Sequence, residues 1–166
     1  MLYFIAIVAP ENINRQVLKW KQYMLQQFNC RVALKSPAHI TLAPPFSMLQ
    51  EREQELIAVL QSFTFEPFSI HLKNFNAFKP RVIYVHVEPN PPLQALKTKL
   101  ENALTCFPVK MDERPFHPHV SIANRDLEKE DFPAAWAYFK NIQYEAVFEA
   151  AHISLLRHNG THWEIA

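Results

Sequence analysis

Gly160 is the only glycine among 166 residues. A glycine-rich phosphate loop needs several, because its backbone must approach the phosphate closely through conformations that other residues resist. Walker-type and dinucleotide-binding sites are therefore excluded, and with them most enzymes of nucleoside triphosphates and nicotinamides. The two cysteines, Cys30 and Cys106, do not make a disulfide framework. Neither lies in a recognisable nucleophile motif, so both are read as reduced packing residues. An excess of charge is missing too: 17 basic against 16 acidic side chains leave a net charge of +1. A long nucleic-acid tract is thus not an expected partner, and an anionic ligand has to be captured by a local site. No apolar run approaches the roughly 18 residues of a membrane span, so no membrane association is expected. The opening "MLYFIAIVAP" lacks a basic leader and a small-residue cleavage site. It reads as a buried first strand of a cytoplasmic protein, expected to be a monomer.

What is present is a soluble globular composition, 49% apolar, with thirteen prolines to punctuate its turns. Alternation in 2–9 predicts a strand. Ile13, Val17, Trp20, Met24 and Phe28 then share one face of a helix. The strand "HITL" follows, stopped by Pro44 and Pro45. A second helix is predicted near 48–62, and a strand, "FSIHL", at 68–72. The order then recurs. A strand at 82–87 precedes the helix "PPLQALKTKLENALTCF", and the strand "HVSIA" comes next. A weaker helix near 126–140, interrupted by Pro133, leads to a strand around "AAHISLLR" and a turn returning as "HWEI". The expected fold is α+β: one bilobal domain over 1–166, with an internal repeat of about 1–78 and 81–166. Two small, mainly antiparallel sheets would line a central cleft, related by a pseudo-two-fold axis, with helices outside.

The repeat carries a polar motif. "SPAHITLAPPF" at 36–46 contains His39 and Thr41, and "RPFHPHVSIANRD" at 114–126 contains His119 and Ser121, each 80 residues after its counterpart. On a strand, residues i and i+2 face the same way. If Ile40, Leu42, Val120 and Ile122 pack on the helices, the two histidines and two hydroxyls look into the cleft. Imidazole has a reference pKa of about 6.5, so one ring can be neutral and the other protonated near neutral pH. One ring can activate water while the other protonates a leaving oxygen, and the hydroxyls can hold a phosphoryl oxygen. Hydrolysis of a phosphodiester fits these groups without a cofactor or metal.

The paired "HITL" and "HVSI" motifs resemble the signature of the 2H phosphoesterase superfamily. "AHITLAPPF" and "FHPHVSIANRD" are especially similar to its 2′-5′ RNA ligase-like branch. The likeness extends over almost the whole chain, including "RVIYVHVE" and "ISLLRHNGTHWEI". It implies a metal-independent phosphodiesterase opening 2′,3′-cyclic phosphates of nucleotides or RNA ends, with 2′-5′ ligation as a reverse activity. Carried onto this chain, His39 and His119 are the catalytic pair, and Thr41 and Ser121 bind the phosphate. Ser121 stands where threonine is commoner, which keeps the hydroxyl.

Other residues compete. "HISL" at 152–155 offers His152 and Ser154, but at the position where the first half has "SIHL"; His152 is read as a structural or cleft-wall residue. His71, His86 and Tyr84 fall on strands that face the cleft, and Tyr84 is kept as a candidate substrate contact. Arg125 can reach a phosphate bidentately or be an ordinary exposed loop arginine, and Phe46 can stack on a base, although core packing is the safer reading among thirteen phenylalanines. His117 and His119 form the H-x-H spacing of some zinc sites, without a nearby third ligand. A non-catalytic module binding nucleotides or RNA ends is the alternative from another class.

Overall fold

The computed structural model describes residues 1–166. In chain order the elements are β1 (Leu2–Val8), α1 (Glu11–Phe28), β2 (His39–Ser47), α2 (Glu53–Ser62), β3 (Phe68–Phe78), β4 (Val82–Val87), α3 (Pro91–Ala103), β5 (His119–Ala123), α4 (Phe132–Phe139), β6 (Glu145–Ala150), β7 (Ser154–His158) and β8 (Trp163–Ile165). A 3-10 turn over Val32–Lys35 precedes β2. The strands form two antiparallel four-stranded sheets, ordered β2-β1-β7-β8 and β5-β4-β3-β6, so the α+β bilobal architecture stands. No helix is long and apolar enough to cross a membrane.

A lobe is not, however, half of the chain. The halves exchange strands between the sheets: β3 of the first half pairs with β4, and β7 of the second half pairs with β1. The two sheets thus have matching orders, and β2 and β5 are corresponding edges. The helices α1 and α3 correspond as well, Glu11 and Pro91 being 80 positions apart. The crossing ties both sheets to a continuous core of 38 buried residues, which holds the β2–β5 separation fixed.

Alternation decides which faces line the cleft. Tyr3, Ile5 and Ile7 of β1 join that core, whereas Phe4 and Ala6 form a separate small cluster with Leu156 on the opposite face. The face of α1 inward of β1 carries Ile13, Val17, Trp20 and Met24, as its spacing requires. Its C-terminus is closed by Asn29 at φ 56°, whose N–H reaches the Leu25 carbonyl. Asn90 caps α3 by accepting from the Leu93 N–H, with Pro91 in the first turn.

Three sequence expectations are corrected. β2 does not stop at Pro44 but runs to Ser47; as an edge strand it tolerates prolines, and its register against β1 shifts near them. Pro133 starts α4 rather than interrupting a longer helix. The strand expected around "AAHISLLR" is two strands, β6 and β7, in different sheets, with His152 in the connection between them.

Candidate active site

The two edge strands bring the two motifs to one cleft of about 170 Å³, whose walls include His39, Thr41, His119 and Ser121. His39 and Thr41 lie opposite Val8 and Ala6, and His119 and Ser121 opposite His86 and Tyr84. The intervening Ile40, Leu42, Val120 and Ile122 are buried in the core. Burial of these four apolar side chains fixes the strand faces, so a one-residue slip would turn both imidazoles away from the cleft.

Both rings are held alike. Nδ1 of His39 donates to the Pro37 carbonyl at 2.7 Å, and Nδ1 of His119 donates to the His117 carbonyl at 2.7 Å. A carbonyl oxygen only accepts, so Nδ1 carries the proton and the neutral ring keeps its lone pair on Nε2. Those are the only side-chain hydrogen bonds within the protein made by the four motif residues, which leaves both Nε2 atoms and both hydroxyls for a ligand. The loops bearing the two carbonyls are gripped by equivalent helix positions. Asn14, fourth in α1, accepts from the Ala38 N–H at 2.8 Å, and Gln94, fourth in α3, donates to the Phe116 carbonyl at 3.4 Å.

Burial pushes both imidazoles toward their neutral forms. His39 falls to about 4, chiefly through desolvation, with the Lys21 ammonium and His119 adding to the push and the Pro37 bond opposing it. His119 is lowered by burial and by His117, against its own carbonyl bond. Phe4 packs on His39 with ring centroids 4.8 Å apart, and Trp163 meets Phe4 edge-on at 4.7 Å. Phe78 and Tyr84 each stand 5.1 Å from His119.

Arg125 lines the same cleft, with φ 58° at its backbone. Tyr84 does not line it; 1% exposed, it lies behind His119, its hydroxyl 3.2 Å from His117 Nε2. Phe46 is 5% exposed and packs against Tyr3 in the core, so its suggested base-stacking contact is corrected to a structural one. The edge-strand continuation past Pro45 is what turns it inward. His152 is exposed outside the cleft, and His71 pairs with Glu145 at 2.6 Å. No His, Cys, Asp or Glu joins His117 and His119 to make a group of three metal-binding side chains.

Sequence reasoning missed several cleft residues. Phe4 was readable once β1 alternation was assigned, since it shares a face with Ala6. Trp163, Ser36 and Asn124 line the cleft through loop and sheet positions that no local period marks. Asp126 was also missed: its Oδ2 accepts the backbone N–H groups of Arg31 at 2.5 Å and Val32 at 2.9 Å, clamping the loop after β5 to the turn before β2.

Two edge strands each present an imidazole and a hydroxyl to one cleft. The model of the 2′-5′ RNA ligase superfamily matches residues 9–162, and the chain belongs to that family. Among its relatives is the Bacillus subtilis RNA 2′,3′-cyclic phosphodiesterase, 27% identical over 141 residues, 80% of this chain and 75% of that one. A Geobacillus kaustophilus protein whose name goes no further than phosphoesterase is 29% identical over 171 residues, 99% of this chain and 93% of that one. The fold is shared with E. coli LigT complexed with 3′-AMP, at TM-score 0.66 and 18% identity, covering 99% of this chain and 94% of that one.

Proposed function

We propose that the chain is a metal-independent phosphodiesterase that hydrolyses 2′,3′-cyclic phosphates on nucleotides or RNA ends. The observation that carries this reading is the matched pair of Nδ1-anchored imidazoles, each with a free Nε2 and an unbonded hydroxyl companion in one cleft. The name of the B. subtilis relative and the nucleotide named with E. coli LigT point the same way.

Thr41 and Ser121 donate to the non-bridging oxygens, and Arg125 reaches the same phosphate from the cleft wall. His39 is the base, because burial and the Lys21 cation keep its Nε2 lone pair free at neutral pH. It takes a proton from water as the water oxygen bonds to phosphorus. The bond to the 2′ or 3′ oxygen breaks, and that oxygen takes the Nε2 proton of His119. Each proton transfer contributes about 10²–10⁴-fold. The bound anion raises both imidazole pKa values and so helps His119 to hold its proton. With a 5′-hydroxyl in place of water, His39 takes its proton, the 5′ oxygen bonds to phosphorus and the 3′ oxygen leaves with the His119 proton, the chemistry of 2′-5′ ligation.

The test is a panel of 2′,3′-cyclic mononucleotides and a cyclic-phosphate oligonucleotide, incubated with EDTA and followed by phosphorus NMR. Ring opening that survives the chelator and disappears in both His39→Ala and His119→Ala supports the proposal. Saturable binding without turnover leaves a nucleotide-binding module instead, and chelator-sensitive turnover returns the metal reading.

A further inference from the structure

The arginines of this chain divide into two groups. Arg15, Arg52, Arg114 and Arg157 each have a carboxylate within 4 Å. Arg31, Arg81 and Arg125 have none, and all three are connected through the loop that follows β5. Arg125 lines the cleft itself. Arg81 donates from Nη1 to the Arg125 carbonyl at 3.5 Å, so the two residues are neighbours. Arg31 is joined to the same loop through its backbone N–H, which donates to Asp126, while its Nε donates to Asn29 Oδ1 at 3.2 Å and leaves the two terminal nitrogens without a partner. The Asp126 carboxylate is turned toward those backbone donors rather than toward a guanidinium. All three arginines are exposed. With a net charge of only +1, the chain has no general surplus of cations to explain the grouping.

A planar aromatic surface adjoins them. Phe78, 38% exposed, ends β3 at the turn that carries Arg81, and its ring stands edge-on to His119 at 5.1 Å. The Arg81 N–H bonds the Phe78 carbonyl at 3.3 Å, which fixes the two side chains on one short turn. Contacts therefore run from His119 to the Phe78 ring, from Phe78 along the turn to Arg81, and from Arg81 to the loop of Arg125. One nucleotide unit carries groups of the same kinds: a planar base beside the sugar and a second phosphate on its 5′ oxygen.

We propose that Arg81, assisted by Arg31, forms a subsite for a second phosphate, one nucleotide from the bond that breaks. It rests on the cyclic-phosphodiesterase reading and deepens it. The preferred substrate is a polynucleotide end, or a nucleotide carrying a 5′-phosphate, over a bare cyclic mononucleotide. Capture of that second anion depends on two or three side chains, so it confers a preference for ends without general affinity for long RNA.

Binding of adenosine 3′-monophosphate and adenosine 3′,5′-bisphosphate, measured calorimetrically at two salt concentrations, reads the subsite without turnover. The expected result is about tenfold tighter binding of the bisphosphate, with a steeper salt dependence. In Arg81→Ala the ratio between the two ligands falls below about twofold, and Arg81→Lys recovers part of it. Equal affinities in the wild type, or a ratio unchanged in Arg81→Ala, would overturn the subsite. Those outcomes are separate from a failure of the proposed activity, which is read by turnover of the cyclic mononucleotide.

Discussion

Lys21 and His39 are tied to adjacent carbonyls. The Lys21 Nζ donates to the Ser36 carbonyl at 2.9 Å, and the His39 Nδ1 donates to the Pro37 carbonyl at 2.7 Å. The lysine is 4% exposed and has no carboxylate partner, and desolvation lowers its pKa to about 8. A shift of that size costs roughly 3 kcal/mol of stability at neutral pH. One charge-assisted hydrogen bond returns about 1.5–3 kcal/mol. Stability alone therefore gives little reason for a lysine here, whereas its effect on His39 does.

Removal of that cation raises the His39 pKa. In Lys21→Met, the acid limb of the kcat/KM profile moves to higher pH, and the histidine's titration followed by NMR moves with it. The folded state of the wild type disfavours the charged lysine, so its stability rises with pH between about 8 and 10.5. Chemical denaturation across that window should show the rise in the wild type and a flatter curve in the variant.

The pH profile itself follows from the two imidazoles. Turnover by the free enzyme needs His39 neutral, above about 4, and His119 protonated, below its lowered pKa. The maximum of kcat/KM is thus expected on the acid side of about pH 6.5, between those two limits. Bound phosphodiester raises both values, so the kcat profile should sit at higher pH than that of kcat/KM. A kcat/KM maximum well above neutrality would contradict the burial argument.

The hydroxyls are expected to act on the transition state. Thr41→Val and Ser121→Ala should each lower kcat by about 10²–10³-fold, the scale of one lost oxyanion donor. Ser121→Thr should keep activity, because the donor is retained. A loss confined to KM would make them ground-state binding groups instead. His152→Ala should leave turnover unchanged, since that ring is exposed outside the cleft.

Cleavage of the Asp126 clamp should loosen the cleft more than the core. Asp126→Ala removes Oδ2, the one acceptor shared by the Arg31 and Val32 amides. Faster hydrogen exchange is expected at Arg31 and Val32, with little change in β1 or β4, where the core residues Ile5, Ile7, Ile83 and Val85 are buried. Uniformly faster exchange throughout both sheets would show that the contact stabilises the whole fold.

The fold was legible where one period governed a segment. The helical spacing of Ile13, Val17, Trp20 and Met24 and the alternation around His39 and His119 are local properties. They were enough to set the helices outward and the polar groups inward. The exchange of β3 and β7 between sheets was not legible, because pairing partners are chosen by distant strands. Core packing of Phe46 was legible, but its cause was not, since it depends on β2 continuing through two prolines as an edge. The same limit applies to the site. His39 and His119 could be read from a repeated spacing, but Lys21, Asp126 and Arg81 reach it through folded contacts at separations of 15, 95 and 44 residues.

In the proposed complex two imidazoles, both with Nδ1 protonated, meet at a single phosphate. Nitrogen-15 NMR of the histidine rings during titration with adenosine 3′-monophosphate tests it directly. The expected result in the free protein is the Nδ1–H tautomer at both His39 and His119. On addition of the nucleotide, both Nε2 resonances should shift together along a single binding curve. A shift at only one ring, two curves with different affinities, or a proton on Nε2 of the neutral rings would contradict it.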